Sequence, residues 1–303
     1  MHDLIIIGGG PAALSAAVYA LGKHLNVLVI YENLGGKAGT QQHLRGQSGA
    51  GATPIVEAVR VLEREIASQP ERALCDRVTS VSTIEGGFQI TTEHHGVYSS
   101  MAVIVATGTT PHMLDIPGAR ELLGQGLGYS ATTHAHLVAG KQVAVIGTTA
   151  RALRGAAELV RTAARVYLIA PDTAGLDAPL AHTLQLRPNL EVLAGYHVKA
   201  VNGPFNVESV VVERGDEHRW LRVEAAFVDL GLVPNSGIVR QLVRLDPAGF
   251  ICVDERNATT LVGLFAAGDV TTGFGEQVLI AIGDGARAAL SAYDYLLARM
   301  PES

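Results

Sequence analysis

The stretch Leu4-Ile-Ile-Ile-Gly-Gly-Gly-Pro-Ala-Ala13, near the amino terminus, decides the fold of this chain. The apolar residues predict a buried strand, and the small residues before the helical run 14–20 predict a glycine turn between strand and helix. Gly8 allows the tight bend, Gly10 allows a pyrophosphate to approach the backbone, and Ala13 allows the helix to lie close to the strand. The unpaired N–H groups at the helix start would face the diphosphate. The segment therefore predicts a dinucleotide-binding βαβ unit.

A second apolar run, residues 27–30, predicts the next strand, and Glu32 follows directly after its end. An acidic residue at this spacing from the glycine turn takes the ribose hydroxyls of an adenine dinucleotide. A glutamate at a strand end can also be merely solvated. Because it occurs together with the glycine turn, the ribose-binding interpretation is favoured.

Composition limits the classes of function. The 303 residues suffice for two domains, and the net charge of −6 without any block of lysines or arginines argues against nucleic-acid or anionic-membrane partners. No apolar run is long enough to span a bilayer, and the apolar start lacks a basic leader, so we expect a cytoplasmic protein. Cys75 and Cys252 are far apart and there is no Cys-x-x-Cys, so no disulfide framework and no metal site is expected.

Strands and helices alternate along the chain, which predicts the α/β class. Residues 54–66 are apolar at helical spacing, whereas residues 77–106 alternate like antiparallel strands with glycine turns. A second nucleotide-fold start appears at Gln142-Val-Ala-Val-Ile-Gly147, followed by a predicted helix over 151–164 and a strand over 166–170. A long helix over about 277–299 is predicted to end the chain.

These features predict two Rossmann-like, three-layer ββα nucleotide-binding domains, the second inserted into the first. The first domain is expected to be discontinuous, over residues 1–112 and 242–303. The inserted domain is expected over residues 113–241, because the composition becomes loop-like after Pro111 and a return linker follows at Leu230-Gly-Leu-Val-Pro-Asn235.

Six short motifs occur in one order along the chain: Gly8-Gly-Gly-Pro11, Gly35-Gly36, Ala106-Thr107-Gly108, Ile116-Pro-Gly118, Pro234-Asn235 and Gly263-Leu-Phe-Ala-Ala-Gly268-Asp269. In these motifs and in its order of parts, nearly the whole chain closely resembles the low-molecular-weight thioredoxin reductase family. The resemblance implies an FAD cofactor in the first domain and a homodimer, which is also the commonest oligomer.

The resemblance also implies roles for residues near the end of the chain. Gly268 and Asp269 would hold the ribityl and phosphate portion of the flavin, and Gln277 would lie beside the isoalloxazine, with Val278 as a further cofactor-binding residue. Asp269 could alternatively cap the turn that follows it. The full set of predicted FAD-binding residues is Gly8, Gly10, Pro11, Ala13, Glu32, Gly35, Gly36, Ala106, Thr107, Gly108, Gly268, Asp269, Gln277 and Val278.

One departure from the family removes its sulfur chemistry. Members that reduce thioredoxin carry Cys-Ala-Thr-Cys-Asp at the start of the inserted domain, whereas this chain reads Ser130-Ala-Thr-Thr-His134. Without a thiolate nothing attacks a disulfide, and without a dithiol nothing receives electrons from the flavin. Hydroxyl groups do not undergo reversible two-electron oxidation. Thioredoxin reduction by the family's dithiol mechanism is therefore excluded.

A second departure lies in the fingerprint of the inserted domain, which reads Gly147-Thr-Thr149-Ala-Arg-Ala152. Thr149 places a β-branched side chain where a pyrophosphate would approach the backbone, so we expect NAD(P)H binding to be weakened or lost. The family's basic cluster for the 2′-phosphate of NADPH is replaced by a segment ending in Asp172. That carboxylate could suit the ribose of NADH, or could simply start a turn. Arg151 and Arg154 could contact a phosphate or be solvated.

His134 takes the place of the aspartate that serves as an acid near the flavin in the family. An imidazole there could donate a proton near neutral pH, so His134 is the candidate catalytic residue, with His136 close by. An exposed loop histidine without a role is the alternative.

Three functions follow from this pattern. The preferred one is an FAD-dependent oxidoreductase whose flavin exchanges electrons directly with a partner. Its similarity to thioredoxin-reductase-like ferredoxin and flavodoxin reductases, which also lack the dithiol, implies that this partner is ferredoxin, flavodoxin or a small acceptor. A second is an NADH-dependent flavin or ferredoxin reductase that tolerates Thr149. A third is a non-catalytic FAD-binding sensor or assembly protein. The vacated region of the inserted domain could also hold a second flavin.

Overall fold

The computed structural model describes residues 1–39 and 54–299. These residues form two compact units, of which the first comprises residues 1–39, 54–110 and 233–299 and the second residues 111–232. Each unit contains a sheet with parallel strands and packed helices. The predicted α/β class, with two Rossmann-like nucleotide-binding domains, is confirmed.

The elements are as follows, in chain order. The strands are β1 His2–Ile7, β2 Val27–Tyr31, β3 Ala73–Cys75, β4 Val78–Ile84, β5 Gly87–Thr92, β6 Val97–Val105, β7 Thr109–Pro111, β8 Leu127–Gly128, β9 Gln142–Ile146, β10 Arg165–Ala170, β11 Leu190–Ala194, β12 His197–Asn202, β13 Ser209–Arg214, β14 Glu217–Arg222, β15 Ala225–Val228, β16 Leu232–Pro234 and β17 Leu264–Ala266. The α-helices are α1 Pro11–Gly22, α2 Pro54–Ala67, α3 Ala131–His134, α4 Ala150–Leu159, α5 Pro179–Gln185 and α6 Val278–Leu297.

The sheet of the first unit has the order β3-β2-β1-β6-β5-β4, and β17 pairs with the second half of β6. Strands β2, β1, β6 and β17 are parallel, with Leu4 opposite Val27 on one side and Ala102 on the other. Strands β4, β5 and β6 are antiparallel, as residues 77–106 predicted. The carboxyl ends of β2, β1, β6 and β17 therefore meet at one sheet edge, where α/β proteins bind their ligands.

Helices α1 and α6 pack against each other over this sheet with small residues at their contact. Ala12, Ala13 and Ala288 are at most 5% exposed. A Cβ on Gly285 would lie 2.0 Å from the carbonyl oxygen of Ala12, so only glycine fits there. This close packing fixes the start of α1 beside the first half of α6.

The second unit has a parallel sheet of order β11-β10-β9-β15-β8 and a separate antiparallel sheet of β12, β13 and β14. Helix α4 ends at Leu159, earlier than the predicted residue 164. The Asn189 amide donates to the carbonyl oxygens of Val160 and Ala163, each at 3.0 Å, and so satisfies the backbone of a turn there.

The limits of the units differ from the predicted ones. The inserted unit begins after Thr110 and ends at Leu232, rather than spanning residues 113–241. The segment after Leu232 belongs to the first unit because Asn235 N donates to the carbonyl oxygen of Gly108 at 3.0 Å and Val239 lies fully buried in that unit's core. Within residues 1–39 and 54–299, no helix is long and apolar enough to cross a membrane.

Candidate functional site

The predicted glycine turn lies at the carboxyl end of β1. Gly8 has a φ of +130°, and a Cβ there would lie 2.2 Å from the carbonyl oxygen of Ala106, so the turn after β1 touches the end of β6 backbone to backbone. At Gly10 a Cβ would meet no atom within 4 Å, so the space over this residue is open. Pro11 begins α1, where its missing N–H costs no hydrogen bond.

Gly35 and Gly36 close the turn from the side of β2. The Gly35 amide donates to the carbonyl oxygen of Gly9 at 2.8 Å. Gly36 has a φ of +53°, and a Cβ there would lie 3.0 Å from the Cα of Gly10. A larger residue at Gly36 would therefore fill the open space over the pyrophosphate turn.

The Ala106-Thr107-Gly108 turn is fixed by Asn235. The Asn235 side-chain amide donates to the backbone carbonyl oxygen of Thr107 at 3.0 Å, and the Thr107 hydroxyl donates to the backbone carbonyl oxygen of Asn235 at 2.8 Å. The Thr110 hydroxyl donates to the Asn235 side-chain oxygen at 2.9 Å. This reciprocal bonding holds the end of β6 in one conformation.

Gly268 and Asp269 follow β17 at the same sheet edge. Gly268 has a φ of +72°, and a Cβ there would lie 2.9 Å from the Ala12 Cβ, so the turn packs directly on α1. The Asp269 carboxylate forms an ion pair with Lys37 Nζ at 2.7 Å, and Lys37 also donates to the Thr109 hydroxyl. Thr271, rather than Asp269, bonds the carbonyl oxygen of Gly268 at 2.8 Å.

Asp284 supports the Gly268 turn from α6 by accepting a hydrogen bond from the Gly268 amide. Burial raises the pKa of the Asp284 carboxyl, while Arg287, 3.2 Å away, opposes that shift. Gln277 is the exposed N-cap residue of α6, and Val278 is half-buried at the first helical position. Their predicted contact with the isoalloxazine stays a prediction.

Glu32 lies exposed after β2, where it pairs with Arg77 through its Oε2 atom at 2.9 Å from Nη2 and 3.1 Å from Nε. The predicted ribose ligand is thus oriented by a guanidinium, and its role toward ribose stays a prediction.

Next to Arg77, the Asp76 side chain is wholly buried. It lies 3.0 Å from His94 Nδ1 and 2.8 Å from His95 Nδ1, and it accepts from the backbone amides of Arg77, His94 and His95. Burial alone would raise the pKa of the Asp76 carboxyl, but these hydrogen bonds together hold it far below its usual range. The bond to Asp76 in turn raises the pKa of His94.

The second unit carries a glycine turn as well, after β9, but its helix start is capped from within. The Thr149 hydroxyl accepts from the Ala152 amide at 3.0 Å and donates to Asp229 Oδ1 at 2.9 Å. Asp229 Oδ2 lies 2.6 Å from Arg151 Nε. Asp229 follows β15, where its carbonyl oxygen would be 1.9 Å from a Cβ on Gly147. A carboxylate and a hydroxyl therefore occupy the α4 start.

Two basic residues on α4 differ in their surroundings. The Arg151 side chain is only 17% exposed and its Nε pairs with Asp229, so the expectation of a solvated arginine was wrong. Its Nη2 atom is buried and has no hydrogen-bond partner in the described part of the chain, and its contact with a phosphate stays a prediction. Arg154 is exposed. After β10, the exposed Asp172 carboxylate accepts from the Ala174 amide at 2.9 Å, and the Asp172 carbonyl oxygen accepts from the Thr148 hydroxyl at 3.0 Å.

The segment that replaces the dithiol includes the short helix α3. The hydroxyls of Ser130 and Thr132 lie 3.4 Å apart. His134 Nδ1 is 3.0 Å from the carbonyl oxygen of Ser130, and its ring stacks on Phe227 with centroids 6.4 Å apart. Burial lowers the pKa of His134, which favours the neutral imidazole. Its catalytic role stays a prediction, and His134 is half-buried rather than an exposed loop residue.

The residues of the first unit fit FAD. Close contacts with backbone at Gly8 and Gly36, and with the Ala12 Cβ at Gly268, bring three turns to one sheet edge, and the open space over Gly10 leaves room for a diphosphate. Within residues 1–39 and 54–299 no cluster of His, Cys, Asp and Glu could hold a metal ion. The fold and this cradle define a two-domain nucleotide-binding flavoprotein.

The chain belongs to the pyridine nucleotide-disulphide oxidoreductase family, whose model matches residues 2–285. It is therefore a flavin-dependent oxidoreductase by family, with a thioredoxin reductase-like fold. The thioredoxin reductase structure from Streptococcus pyogenes is similar with a TM-score of 0.86 and 25% identity, over 98% of this chain and 99% of that one. The thioredoxin reductase from Giardia duodenalis has a TM-score of 0.82 and 25% identity, over 98% and 99% of the chains.

Among curated relatives, the F subunit of alkyl hydroperoxide reductase in Pseudomonas putida is 34% identical over 310 residues. The match covers 97% of this chain but 58% of the relative. The chain thus spans little more than half the length of that protein.

Sequence reasoning missed several residues at the FAD cradle and at the α4 start, among them Lys37, Thr109, Asn235 in its bonding role, and Asp229. Lys37 stands directly after the Gly35-Gly36 motif and Thr109 directly after Gly108, so adjacency to known motifs was an available signal. For Asp229 the signal was a charged residue ending the apolar strand 225–228. Its partners, Thr149 and Arg151, are about 80 residues away in sequence and only the fold brings them together.

Proposed function

We propose that this protein is an FAD-dependent oxidoreductase whose flavin is reduced by an electron-carrier protein such as ferredoxin or flavodoxin. The electrons then pass to a second carrier or a small acceptor, without a protein dithiol and without NAD(P)H. The observation that carries the proposal is the Asp229 carboxylate bonded to Thr149 and Arg151 at the start of α4.

Hydrogen bonding and ion pairing argue against a nicotinamide dinucleotide at α4. A diphosphate binds a helix start through free N–H groups and the positive end of the helix dipole. The Thr149 hydroxyl already bonds the Ala152 amide, and Asp229 already places a negative charge there. The Arg151 guanidinium, 2.6 Å from Asp229, offsets that charge, so the obstacle to a diphosphate is the closed set of bonds among Asp229, Thr149 and Arg151 rather than a free negative charge. Binding would require Asp229 and Arg151 to separate first.

FAD, when bound, supplies one-electron and two-electron chemistry of its own. The chain's residues bind and orient it: the Gly8 to Gly10 turn faces the diphosphate, Gly36 leaves that space open, and Asp269 holds the ribityl portion. No residue of Ser130-Ala-Thr-Thr-His134 can store electrons as a disulfide does. Direct exchange between the flavin and a partner is therefore the route that this chain's residues support.

A solved relative supports the choice of donor class. The ferredoxin-flavin thioredoxin reductase from Clostridium acetobutylicum is similar with a TM-score of 0.50 and 26% identity over 98% of each chain. Its name indicates that a protein with this kind of fold can take electrons from ferredoxin. We extend only that donor chemistry to this chain, since the cysteine pair needed to reduce thioredoxin is missing from it.

The test is an anaerobic titration of the FAD-loaded protein with NADH, NADPH, reduced ferredoxin and reduced flavodoxin, followed by loss of flavin absorbance. We expect one of the carrier proteins to bleach the flavin within seconds and both nicotinamides to leave it oxidised for minutes. Rapid bleaching by NADH or NADPH would refute the proposal and support the nicotinamide-dependent alternative. Failure of all four donors would also refute it and favour a non-catalytic flavin-binding protein.

A matched control shows whether the α4 start causes the lack of nicotinamide reactivity. The double variant Thr149→Gly, Asp229→Ala frees the Ala152 amide and removes the carboxylate together. The rate at which NADH or NADPH reduces the flavin should be higher in this variant than in the wild type. The rate of reduction by the carrier protein should be unchanged.

A further inference from the structure

Lys37 places a positive charge within the FAD cradle at a position to which the sequence patterns gave no role. Its Nζ atom lies 2.7 Å from Asp269 Oδ2 and bonds the Thr109 hydroxyl. The two partners follow β17 and β6, and Lys37 itself follows Gly36, whose backbone lies against Gly10. One side chain thus joins three of the turns that form the cradle.

The charges of the cradle explain why a cation is needed there. Asp269 is 17% exposed and is expected beside the ribityl and phosphate portion of a cofactor that carries a diphosphate. A carboxylate alone would repel those phosphates, and burial strengthens the repulsion. Asp284, which bonds the Gly268 amide, adds a second carboxyl nearby. The ammonium of Lys37 offsets this negative charge and, being 45% exposed, has freedom to reorient toward a phosphate.

We propose that Lys37 is an FAD-binding residue, which neutralises Asp269 and supplies the cation that the flavin diphosphate requires in this cradle. The inference rests on the proposed FAD-dependent function and deepens it. It concerns how tightly the cofactor is held and is independent of which donor reduces the flavin.

The experiment measures the FAD dissociation constant of apoprotein by quenching of flavin fluorescence, at low and at high salt. Lys37→Gln removes the charge and should weaken FAD binding about tenfold at low salt, because a hydrogen bond between charged groups is lost. Lys37→Arg keeps the charge and should stay within about threefold of the wild type. At about 1 M salt the loss caused by Lys37→Gln should shrink, because screening weakens the same charges in the wild type.

Lys23→Gln is the matched control, since it removes the same charge from the same unit. Lys23 lies at the end of α1, where its Nζ is 5.8 Å and 5.3 Å from the ring centroids of Tyr19 and Tyr293. Its loss should leave FAD affinity unchanged. Thermal unfolding of each apoprotein checks that the variants fold, and Lys37→Arg tests the charge if Lys37→Gln is unstable.

The outcomes separate this inference from the proposed function. Unchanged or tighter FAD binding by Lys37→Gln would overturn it, since tighter binding would mean that Lys37 competes with the cofactor for Asp269. An equal loss in Lys23→Gln would also overturn it, because the effect would then be general attraction by net charge. After either result, the donor titration of the wild-type protein still tests the proposed FAD-dependent function. If the wild-type protein binds no FAD, both the role of Lys37 and the proposed function are contradicted.

Discussion

Removing the charge of Asp229 should destabilise the start of α4 in a way that depends on Arg151. The side chains of Asp229 and Arg151 are 9% and 17% exposed, and Asp229 Oδ2 lies 2.6 Å from Arg151 Nε. Breaking a buried pair by removing one partner costs about 3 to 5 kcal/mol, and the partial exposure of Arg151 puts our expectation at about 3 kcal/mol. Asp229→Asn is the suitable change, because the amide oxygen can still accept from Thr149.

The charge-specific share is isolated by a double-mutant cycle. Arg151→Gln combined with Asp229→Asn should cost about 2 kcal/mol less than the sum of the single changes, because no unpaired charge is then left buried. Denaturant-dependent hydrogen exchange of the α4 peptide measures the unfolding free energy of this unit by itself. Additivity of the two changes within about 0.5 kcal/mol would mean that Asp229 and Arg151 do not stabilise each other.

An exposed pair in the same unit provides the comparison for this cycle. Lys141 Nζ and Glu224 Oε1 are 2.9 Å apart, with side chains 20% and 49% exposed. The corresponding cycle with Lys141→Gln and Glu224→Gln should give a coupling of at most about 1 kcal/mol. Equal couplings for the two pairs would mean that burial does not set the strength of the Asp229 pair.

Three further outcomes are expected. Thr149→Ala removes the cap of the Ala152 amide and should lower the unfolding free energy by about 1 kcal/mol in the same exchange measurement, whereas Thr149→Ser should retain most of it. The pKa of His94, measured by NMR, should lie above its ordinary value of 6.5 because of the bond to Asp76. The contribution of protonated His94 to stability is therefore complete below pH 6.5 and disappears as the pH rises through the raised pKa. In Asp76→Asn the pKa of His94 should return toward 6.5. The pKa of His134 should lie below its ordinary value of 6.5 because burial disfavours the charged imidazolium. The stability that depends on neutral His134 is therefore complete above pH 6.5 and is lost as the pH falls through the lowered pKa. A measured pKa above 6.5 would contradict the buried placement of His134.

The parts of the fold that local patterns determine could be predicted from the sequence. The run of isoleucines before Gly8 predicted β1, because only a buried strand accommodates such residues beside a glycine turn, and the antiparallel strands over 77–106 were visible in their alternation and their glycines. The resemblance to the thioredoxin reductase family, rather than spacing, implied that the turns at Gly8 and Gly268 belong to one cradle. The need for glycine at these two turns comes from residues distant in sequence, since a Cβ on Gly8 would lie 2.2 Å from the carbonyl oxygen of Ala106 and a Cβ on Gly268 would lie 2.9 Å from the Ala12 Cβ.

The parts that depend on contacts distant in sequence could not be predicted. The end of the inserted unit was misplaced because Asn235 belongs to the first unit through bonds to Thr107 and Gly108, and no local pattern encodes that pairing. The ion pair between Arg151 and Asp229 could not be predicted, because Asp229 lies at the end of a strand that is distant in the sequence. The sequence indicated that Thr149 weakens the nucleotide site, but not that its hydroxyl caps the helix.

The decisive measurement is the dissociation constant of NADPH and of NADH for the FAD-loaded protein, determined by calorimetry under anaerobic conditions. Because Asp229, Thr149 and Arg151 already bond one another at the start of α4, we expect dissociation constants above about 1 mM for both dinucleotides, which correspond to a standard free energy weaker than about −4 kcal/mol. Micromolar binding of either one to the inserted unit would contradict this expectation.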